Sequence, residues 1–542
     1  MAQVSAAPAG GRAAAASAPR FPINPWPIAL TVTIATFMEA LDSSIANVAL
    51  PHIAGSLSAT ADQATWVLTS YLVSNGIILP LGGWLSEVLG RKRFYMTCVA
   101  LFTACSFLCG IAPSLGMLIL FRVLQGIGGG GLQPSEQAIL ADTFPPERLG
   151  MAFAIYGMAV VLAPSIGPTL GGWITDNYSW RWIFYINVPI GIISLFLTNH
   201  FVQDPDYINE KMEQQRRSHR KLRIDYIGIG LIALGIGCLQ VVLDKGQEDD
   251  WFASHFILML SAISLISIVA LIIWEFRHKS PVIELRLLKN FNFAAASLMM
   301  FVLGVALYAA TALLPLFMQE LAGYTAELAG LVLSPGGLLM IGTMPIAGQL
   351  SSRVQARWLA ATGFLLTGLA LWHMTHLDLQ ASFSTYTLDY LFQRLGVAFM
   401  FIPINTLAYL DVPPGKNNQI SSMINLFRNL GASVGISMVS TLTQRRAQVH
   451  QDTLSMHLST FNPALRAQLS GLSSNLFHAG MSRADASHQA LGRMYLMVQT
   501  QASLGAYLDT LKILAIICLC LLPVFPLLKG NDPQAKKTMA VH

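Results

Sequence analysis

Two carboxylates stand close together in an apolar stretch of the chain that is long enough to cross a bilayer. The segment FMEALDSSIANVALP, residues 37–51, places Glu39 and Asp42 near the middle of an apolar run over 27–50. A charged side chain at that depth costs about 2.5–3.5 kcal/mol on insertion scales, so such residues normally have a function. A buried carboxylate can bind a proton reversibly or pair with a cation, depending on its surroundings.

Helical periodicity places the two carboxylates on one polar stripe. Residues three and four positions apart share a face of a helix, and this spacing groups Glu39 and Asp42 with Ser43 and Asn47. The other faces of the segment are mostly Leu, Ile, Val, Phe and Ala. A polar stripe of this kind belongs against protein or water and not against lipid.

A second polar stripe lies in the apolar run over 115–136. Arg122, Gln125, Gly129 and Gln133 follow one another there at helical spacing. The neighbouring glycines of GIGGGG suit helix packing, because small residues let membrane helices approach closely. No GxxxxGK[ST] pattern occurs in the chain, so ATP-driven transport is not expected.

The composition is that of a membrane protein. Of the 542 residues, 54% are hydrophobic and 11% are charged, whereas soluble proteins carry about 25% charged residues. Fourteen apolar runs approach the roughly 20 residues that a helix needs to cross a bilayer. They lie near 27–50, 64–86, 94–112, 115–136, 150–173, 182–202, 226–244, 254–274, 292–317, 326–350, 357–375, 386–408, 418–441 and 506–528. Because backbone groups in lipid must be satisfied internally, we expect an all-α polytopic membrane protein.

Basic residues indicate the orientation of the chain. With the N-terminus inside, Lys and Arg concentrate in the short inside loops, whereas the short outside loops hold only Arg181 and Lys245. The positive-inside rule therefore predicts that both termini are cytoplasmic. The net charge of +5 does not indicate a nucleic-acid partner. Six cysteines lie in apolar runs without metal-like spacing, so neither disulfides nor a metal site are expected.

The order of the runs suggests how the chain is divided. FRVLQG at 121–126 has a partner in FQRLGV at 392–397, and removing the seventh and eighth runs leaves two comparable sets of six. Parallel repeats of this kind are typical of transporters. The predicted units are a disordered cytoplasmic tail 1–25, a six-helix bundle 26–202, a cytoplasmic linker 203–225, two inserted helices 226–274, a second six-helix bundle 275–528 with an outside loop 445–505, and a cytoplasmic tail 529–542.

Several motifs together resemble those of one family. The chain is similar to the major facilitator superfamily, in its fourteen-helix drug:proton antiporter branch, and most of all to the EmrB-type export permeases. The resemblance rests on LDSSIANVALP (41–51), GGWLSEVLGRKR (82–93), LILFRVLQGIGGG (118–130), GMAVVLAPSIGPTLGG (157–172), WRWIFYINVPIG (180–191) and QELAGYTAELAGL (319–331). It implies the major facilitator fold, with two six-helix bundles and two inserted helices.

The resemblance also implies where coupling and binding occur. The first and fourth helices line the central cavity of the family, which makes Arg122 the expected counter-charge of Asp42 and Glu39 in proton coupling. Burial favours a protonated carboxyl and a nearby arginine favours the carboxylate, so proton or cargo binding could tip the balance. A permanent ion pair that only orders the helices is the alternative. The predicted substrate cavity contains Glu39, Ser43, Asn47, Gln125, Tyr308 and Asn405. Tyr308 could equally serve packing.

Two further motifs are associated in the family with gating. The basic turn after the second helix should place Glu87 near Asn417, and Asp142 should pair with Arg91 or Arg93. The bending helix of exporters corresponds to the segment around Gly167 and Pro168, for which ordinary close packing is the alternative. The predicted gating residues are Glu87, Gly90, Arg91, Arg93, Asp142, Gly167 and Pro168. Glu87 departs from the aspartate that is usual in the family.

The function that these features predict is proton-driven export of amphipathic toxic compounds across a bacterial inner membrane. No cofactor is expected beyond the proton gradient, and no enzymatic activity. The long loop 445–505 resembles permeases that work with a periplasmic adaptor and an outer-membrane channel. One alternative is a proton-coupled exporter of a single metabolite, siderophore or lipid-like molecule. A membrane scaffold or sensor is a second alternative, although a scaffold has little use for intramembrane charges.

Overall fold

The computed structural model describes residues 24–145, 147–205, 208, 210, 213, 225–278, 281–410, 415–456, 458 and 462–530. This described part of the chain is helical and contains no β-strand. The predicted tails and the linker 203–225 lie almost entirely outside it.

The first half of the chain forms helices that begin and end at recognisable signals. Pro25 opens the first helix behind the cap Asn24, and Thr60 with Gln63 forms a capping box at the second. The helices are α1 Pro25–Ser56, α2 Ala61–Leu89, α3 Arg91–Gly110, α4 Leu115–Gly129, α5 Leu132–Thr143, α6 Leu149–Asn177, α7 Trp182–Tyr185 and α8 Asn187–Phe201.

The glycine run divides the fourth predicted span into two helices. Helix α4 ends at Gly129 and α5 begins at Leu132, whereas the sequence predicts one helix over 115–136. A Cβ at Gly128 would come within 2.7 Å of the Phe102 backbone nitrogen in α3. Glycine is therefore required for the close approach of α4 to its neighbour, as the small-residue pattern predicts.

The second half continues with long helices. They are α9 Tyr226–Lys245, α10 His255–Arg277, α11 Phe291–Glu320, α12 Ala326–Ser351, α13 Ala356–Met374, α14 Phe383–Ala408, α15 Asn417–Met456, α16 Pro463–His478 and α17 Arg483–Cys520. The region 445–505, predicted as an outside loop, is largely helical in its described residues. Helix α15 extends into it from one side and α17 from the other, with α16 packed against α17.

The helices pack as two bundles with a pair between them in sequence. In the first bundle α1 contacts α6 and α8, and α2 contacts α4. In the second bundle α11 contacts α15, and α13 contacts α14 and α17. The bundles meet where α6 packs on α12 and where α2 and α5 pack on α15. Helix α9 contacts both α2 and α15, so the inserted pair α9–α10 borders both bundles.

Twelve helical segments in the described residues are long and apolar enough to cross a membrane. Helices α13 and α15 are not among them, although the sequence predicts spans at 357–375 and 418–441. Both have spanning length, at 19 and 40 residues. Their polar side chains lower the mean hydropathy, and in α15 residues such as Asn425 and Arg428 are buried against other helices.

Candidate functional site

Asp42 is the centre of a buried polar cluster. Its side chain is 2% exposed, and Arg122 Nη1 lies 2.6 Å from its Oδ2. Gln125 Nε2 donates to Asp42 Oδ1 at 3.1 Å, and Asn187 Nδ2 donates to the same oxygen at 2.7 Å. Three donors from two other helices therefore satisfy this buried carboxyl group, which offsets part of the cost of burying it.

Arg122 is itself fixed from several directions. Its Nε donates to the Val67 carbonyl oxygen at 3.1 Å, and its Nη1 also donates to Gln125 Oε1 at 2.8 Å. The guanidinium lies 4.2 Å from the centroid of the Tyr71 ring, within range of a cation–π interaction. The ion pair of Asp42 and Arg122 that the family resemblance implies is present in the structure.

Asn187 is a member of this cluster that the sequence does not single out. It is fully buried and begins α8, directly after the short helix α7. Its amide nitrogen also donates to Ser106 Oγ at 3.0 Å. A lone asparagine within the apolar run WRWIFYINVPIG is the signal that could have pointed to it.

Glu39 occupies a separate polar cluster. Tyr71 Oη donates to Glu39 Oε1 at 3.1 Å, and Asn75 Nδ2 donates to the same oxygen at 3.2 Å. Gln133 Nε2 donates to Glu39 Oε2 at 2.5 Å. The two carboxylates of α1 therefore have different hydrogen-bond donors, and Glu39 has no arginine in direct contact.

The Glu39 cluster continues into the second bundle. Arg428 of α15 donates to Gln133 Oε1, and its Nη1 donates to Tyr156 Oη at 3.0 Å. Tyr156 Oη in turn donates to Asn425 Oδ1 at 3.2 Å. The sequence motifs single out neither Arg428 nor Tyr156. The polar run NNQISSMINLFRN in an otherwise apolar chain is the signal that could have identified Arg428.

A further set of amides connects the bundles beside this cluster. Gln137 Nε2 donates to Asn405 Oδ1 at 3.2 Å, and Asn425 Nδ2 donates to Gln137 Oε1 at 2.7 Å. All three side chains are buried. The structure thus places the predicted cavity residue Asn405 at the interface between the two bundles.

Some of the predicted gating residues lie at the end of the bundles that carries the turn between α2 and α3, whereas Gly167 and Pro168 lie within α6. We call this end of the bundles the α2–α3 end. Gly90 forms the turn with φ +87°, a left-handed conformation that favours glycine. Arg91 pairs with Asp142, and Asn417 Nδ2 donates to Asp142 Oδ1 at 2.5 Å. Of the two arginines expected to pair with Asp142, Arg91 is therefore the one in contact.

The glycine motif of α6 lies against α1. A Cβ at Gly167 would overlap the Ser44 side chain, and Ser44 Oγ donates to the Pro164 carbonyl oxygen at 3.3 Å. Pro168 follows within α6. This contact supports close packing of α6 on α1.

The remaining predicted residues differ in how close they lie to the carboxylate clusters. Asn47 is exposed, and Arg93 is exposed at the α2–α3 end. Ser43 Oγ donates to the Glu39 backbone carbonyl at 3.3 Å. Tyr308 is half-buried in α11 and interacts electrostatically with Arg428 and Glu39. The structure thus brings Tyr308, but not Asn47, to the charged centre.

Comparisons with known proteins identify the family of the chain. The family model "Major Facilitator Superfamily" matches residues 32–436. The chain is 38% identical to the multidrug export protein EmrB of Haemophilus influenzae, over 80% of this chain and 84% of the relative. It is 37% identical to the fatty acid resistance protein FarB of Neisseria gonorrhoeae, over 82% and 86%.

A solved structure supports the fold alone. The proton:xylose symporter XylE aligns with a TM-score of 0.56 at 14% identity, over 94% of this chain and 97% of that one. The chain therefore belongs to the Major Facilitator Superfamily, among its EmrB-type export permeases, and it is a transporter rather than an enzyme.

Proposed function

We propose that this transporter is a proton-coupled antiporter that exports drugs and other toxic amphipathic compounds across the bacterial inner membrane. Asp42, Glu39 and Arg122 carry the proton coupling, and the cargo binds between the two bundles. The observation that carries the proposal is the burial of two carboxylates with separate sets of donors in one membrane helix. Ionisable groups inside a membrane span are costly, and proton relays are among the functions that they mark.

The cargo class is supported by the relatives and by the interface. The named relatives are a multidrug export protein and a fatty acid resistance protein, whose names together indicate amphipathic compounds. Aromatic and amide side chains such as Tyr308 and Asn405 adjoin the charged centre. Such a mixture of apolar surface and a few polar groups suits ligands with a polar head and an apolar body.

The same proposal includes fourteen spans with both termini in the cytoplasm. Twelve segments meet the length and hydropathy of a span, and α13 and α15 pack inside the second bundle with spanning length. With all fourteen counted, the α2–α3 end faces the cytoplasm, where its basic residues are favoured.

A tripartite assembly is the further part of the proposal. On this orientation α16 and the adjoining ends of α15 and α17 project from the outer side of the membrane. Leu491, Tyr495 and Leu496 are each more than half exposed there. We assign this surface to a periplasmic adaptor that leads to an outer-membrane channel.

Dye extrusion tests the antiport. The chain, Asp42→Asn and the exposed control Asp249→Asn are expressed in a strain that lacks efflux pumps, with and without a proton uncoupler. We expect the unsubstituted chain and Asp249→Asn to extrude several unrelated amphipathic dyes until the uncoupler is added. We expect Asp42→Asn to reach the membrane without extruding them. Extrusion that is indifferent to the uncoupler would remove the proposal.

The two alternatives give different results in the same assay. A carrier for one metabolite, siderophore or lipid-like molecule would accept a single compound of the panel. A scaffold or sensor would extrude none.

A further inference from the structure

The partners of Asp42 all belong to the first bundle. Arg122 and Gln125 lie on α4 and Asn187 begins α8, and Arg122 is further held by Val67 on α2. These helices pack on one another within one bundle. A rigid-body movement of the bundles would carry this cluster along without breaking any of its contacts.

The contacts of Glu39 are different, because they continue across the interface. Gln133 donates to Glu39 with its amide nitrogen and accepts from Arg428 with its amide oxygen. Arg428 belongs to α15 of the second bundle. Beside this relay Asn429 of α15 donates to Asn75 Oδ1 at 3.4 Å, and Asn75 itself donates to Glu39. Both chains of hydrogen bonds that begin at Glu39 therefore end on α15.

An antiporter needs a proton site whose affinity differs between its two arrangements. A ligand shifts a conformational equilibrium only by its difference in affinity for the two states, and this holds for a proton as well. A carboxylate whose neighbours change between the two states supplies that difference more directly than one whose neighbours stay the same. The relay from Glu39 to Arg428 is interrupted when the bundles separate at α5 and α15, so its neighbours change.

The other titratable and charged groups around Glu39 lie on both sides of the interface. Asp42, Tyr71, Glu136 and Tyr156 belong to the first bundle, and Tyr308 lies on α11 of the second. The groups that interact electrostatically or by hydrogen bonds with Glu39 are Asp42, Tyr71, Glu136, Tyr156, Tyr308 and Arg428. Arg428 is the cation among them, so separation of the bundles withdraws a favourable positive charge from Glu39.

We propose that Glu39 is the proton site that responds to the arrangement of the bundles, with Gln133 as the relay and Arg428 as the counter-charge. The pair of Asp42 and Arg122 keeps its geometry throughout the cycle. This inference rests on the proposed antiport and names the residues that perform it.

The contacts of Glu39 indicate how its protonation shifts the arrangement of the two bundles. With the bundles joined, Gln133 and Arg428 favour the carboxylate of Glu39. Protonation removes the charge that this relay stabilises, and so favours separation of α5 from α15. The same interface includes the contact of Asp142 with Asn417 at the α2–α3 end. Protonation of Glu39 therefore shifts the population toward an arrangement that is open at that end.

Distance measurements on the full-length chain test the inference. Spin labels are attached at Glu147→Cys and Arg353→Cys, two exposed positions at the α2–α3 end of the first and second bundles. The six native cysteines are replaced beforehand. We expect acidification to increase severalfold the fraction of molecules that show the longer distance between the two labels. In Glu39→Gln we expect this fraction to be high at every pH, because the side chain at position 39 is permanently neutral.

Matched variants distinguish the role of the relay through Gln133 from that of the pair of Asp42 and Arg122. Gln133→Leu leaves Glu39 in place and should abolish the pH response, whereas Gln125→Leu removes a partner of Asp42 and should preserve it. Arg428→Gln should favour the longer distance at alkaline pH, and Arg428→Lys should restore part of the response. Asp42→Asn should keep the response even where extrusion is lost.

The outcomes distinguish this inference from the proposed function. A pH response in Glu39→Gln and Gln133→Leu equal to that of the unsubstituted chain would overturn the inference, and so would its loss in Asp42→Asn alone. Extrusion by the unsubstituted chain that ignores an uncoupler would instead overturn the antiport, whatever the distances show.

Discussion

Arg122 Nη1 lies 2.6 Å from Asp42 Oδ2, and both side chains are almost completely removed from solvent. Arg122 Nη1 also donates a hydrogen bond to Gln125, and Nε donates one to the Val67 carbonyl oxygen. The face of the guanidinium packs against the Tyr71 ring. A lysine has one nitrogen at the end of a flexible chain and cannot make this set of contacts together.

Arg122→Lys is therefore expected to be far from conservative. Each hydrogen bond lost from a charged group costs about 1.5–3 kcal/mol, so we expect a lower midpoint of thermal unfolding and a loss of most dye extrusion. Thermal unfolding in detergent and extrusion in cells measure the two effects. Arg493→Lys, at an exposed position of α17, is the control. Equal unfolding midpoints and equal dye extrusion in Arg122→Lys and Arg493→Lys would show that neither stability nor transport needs the guanidinium geometry of Arg122.

The close approach of α6 to α1 gives a second prediction. At Gly167 a Cβ would overlap Ser44, whereas at Gly172 the nearest atom to a Cβ is Val48 Cγ1 at 3.9 Å. Overpacking costs typically about 1–3 kcal/mol, so Gly167→Ala should lower the unfolding midpoint and Gly172→Ala should leave it nearly unchanged. Equal unfolding midpoints for the two variants would show that Ser44 can move aside for the added methyl group without loss of stability.

The ion pair of Asp42 and Arg122 could be predicted because its residues lie in motifs that resemble those of a family whose first and fourth helices line one cavity. The partnership of Gln133 and Arg428 could not, since 295 residues separate them and periodicity does not say which helices face each other. The ends of α15 and α17 were likewise beyond prediction. Apolar runs report where a helix contacts lipid or core, and these two helices continue past their apolar parts.

The contact between Asp142 and Asn417 gives a third prediction, concerning turnover. It joins α5 to α15 at the α2–α3 end, where Arg91 also pairs with Asp142. Asn417→Ala removes one link between the bundles while leaving the carboxylate clusters intact. We expect slower transport at saturating cargo with little change in the apparent cargo affinity, measured with dye titrations in vesicles. Ser352→Ala, exposed beyond α12, is the control. A change in affinity with unaltered maximal rate would contradict a gating role.

The exposed apolar surface of α17 gives a fourth prediction. Leu491 and Tyr495 are 54% and 57% exposed and lie one helical turn apart. The double variant Leu491→Ser, Tyr495→Ser should weaken pull-down of a co-expressed periplasmic adaptor, because it removes apolar contact area at the proposed interface. Transport across the inner membrane in vesicles should be retained. The double variant Gln489→Ser, Arg493→Ser has the same spacing at exposed polar positions and serves as the control. Equal pull-down by both would assign the adaptor to another surface.

Glu136 is a third buried carboxyl group in the first bundle, and it differs from the other two in having no cation nearby. It is fully buried in α5, accepts from Thr33 Oγ1 at 2.7 Å, and makes no ion pair with any residue that the structure describes. An unpaired buried charge is costly, whereas a neutral amide of the same shape keeps an acceptor for Thr33.

We therefore expect Glu136→Gln to retain extrusion and to leave the unfolding midpoint unchanged or raised. Glu136→Ala should lower the midpoint, since it leaves a cavity and deprives Thr33 of its acceptor. Thermal unfolding of both variants beside Glu147→Gln, an exposed control, measures the difference. Glu39→Gln should instead lose coupled transport, because an amide cannot take up and release a proton at the position where Glu39 meets the relay to Arg428. If Glu136→Gln loses coupled transport as Glu39→Gln does, then Glu136 must also change its protonation during the cycle.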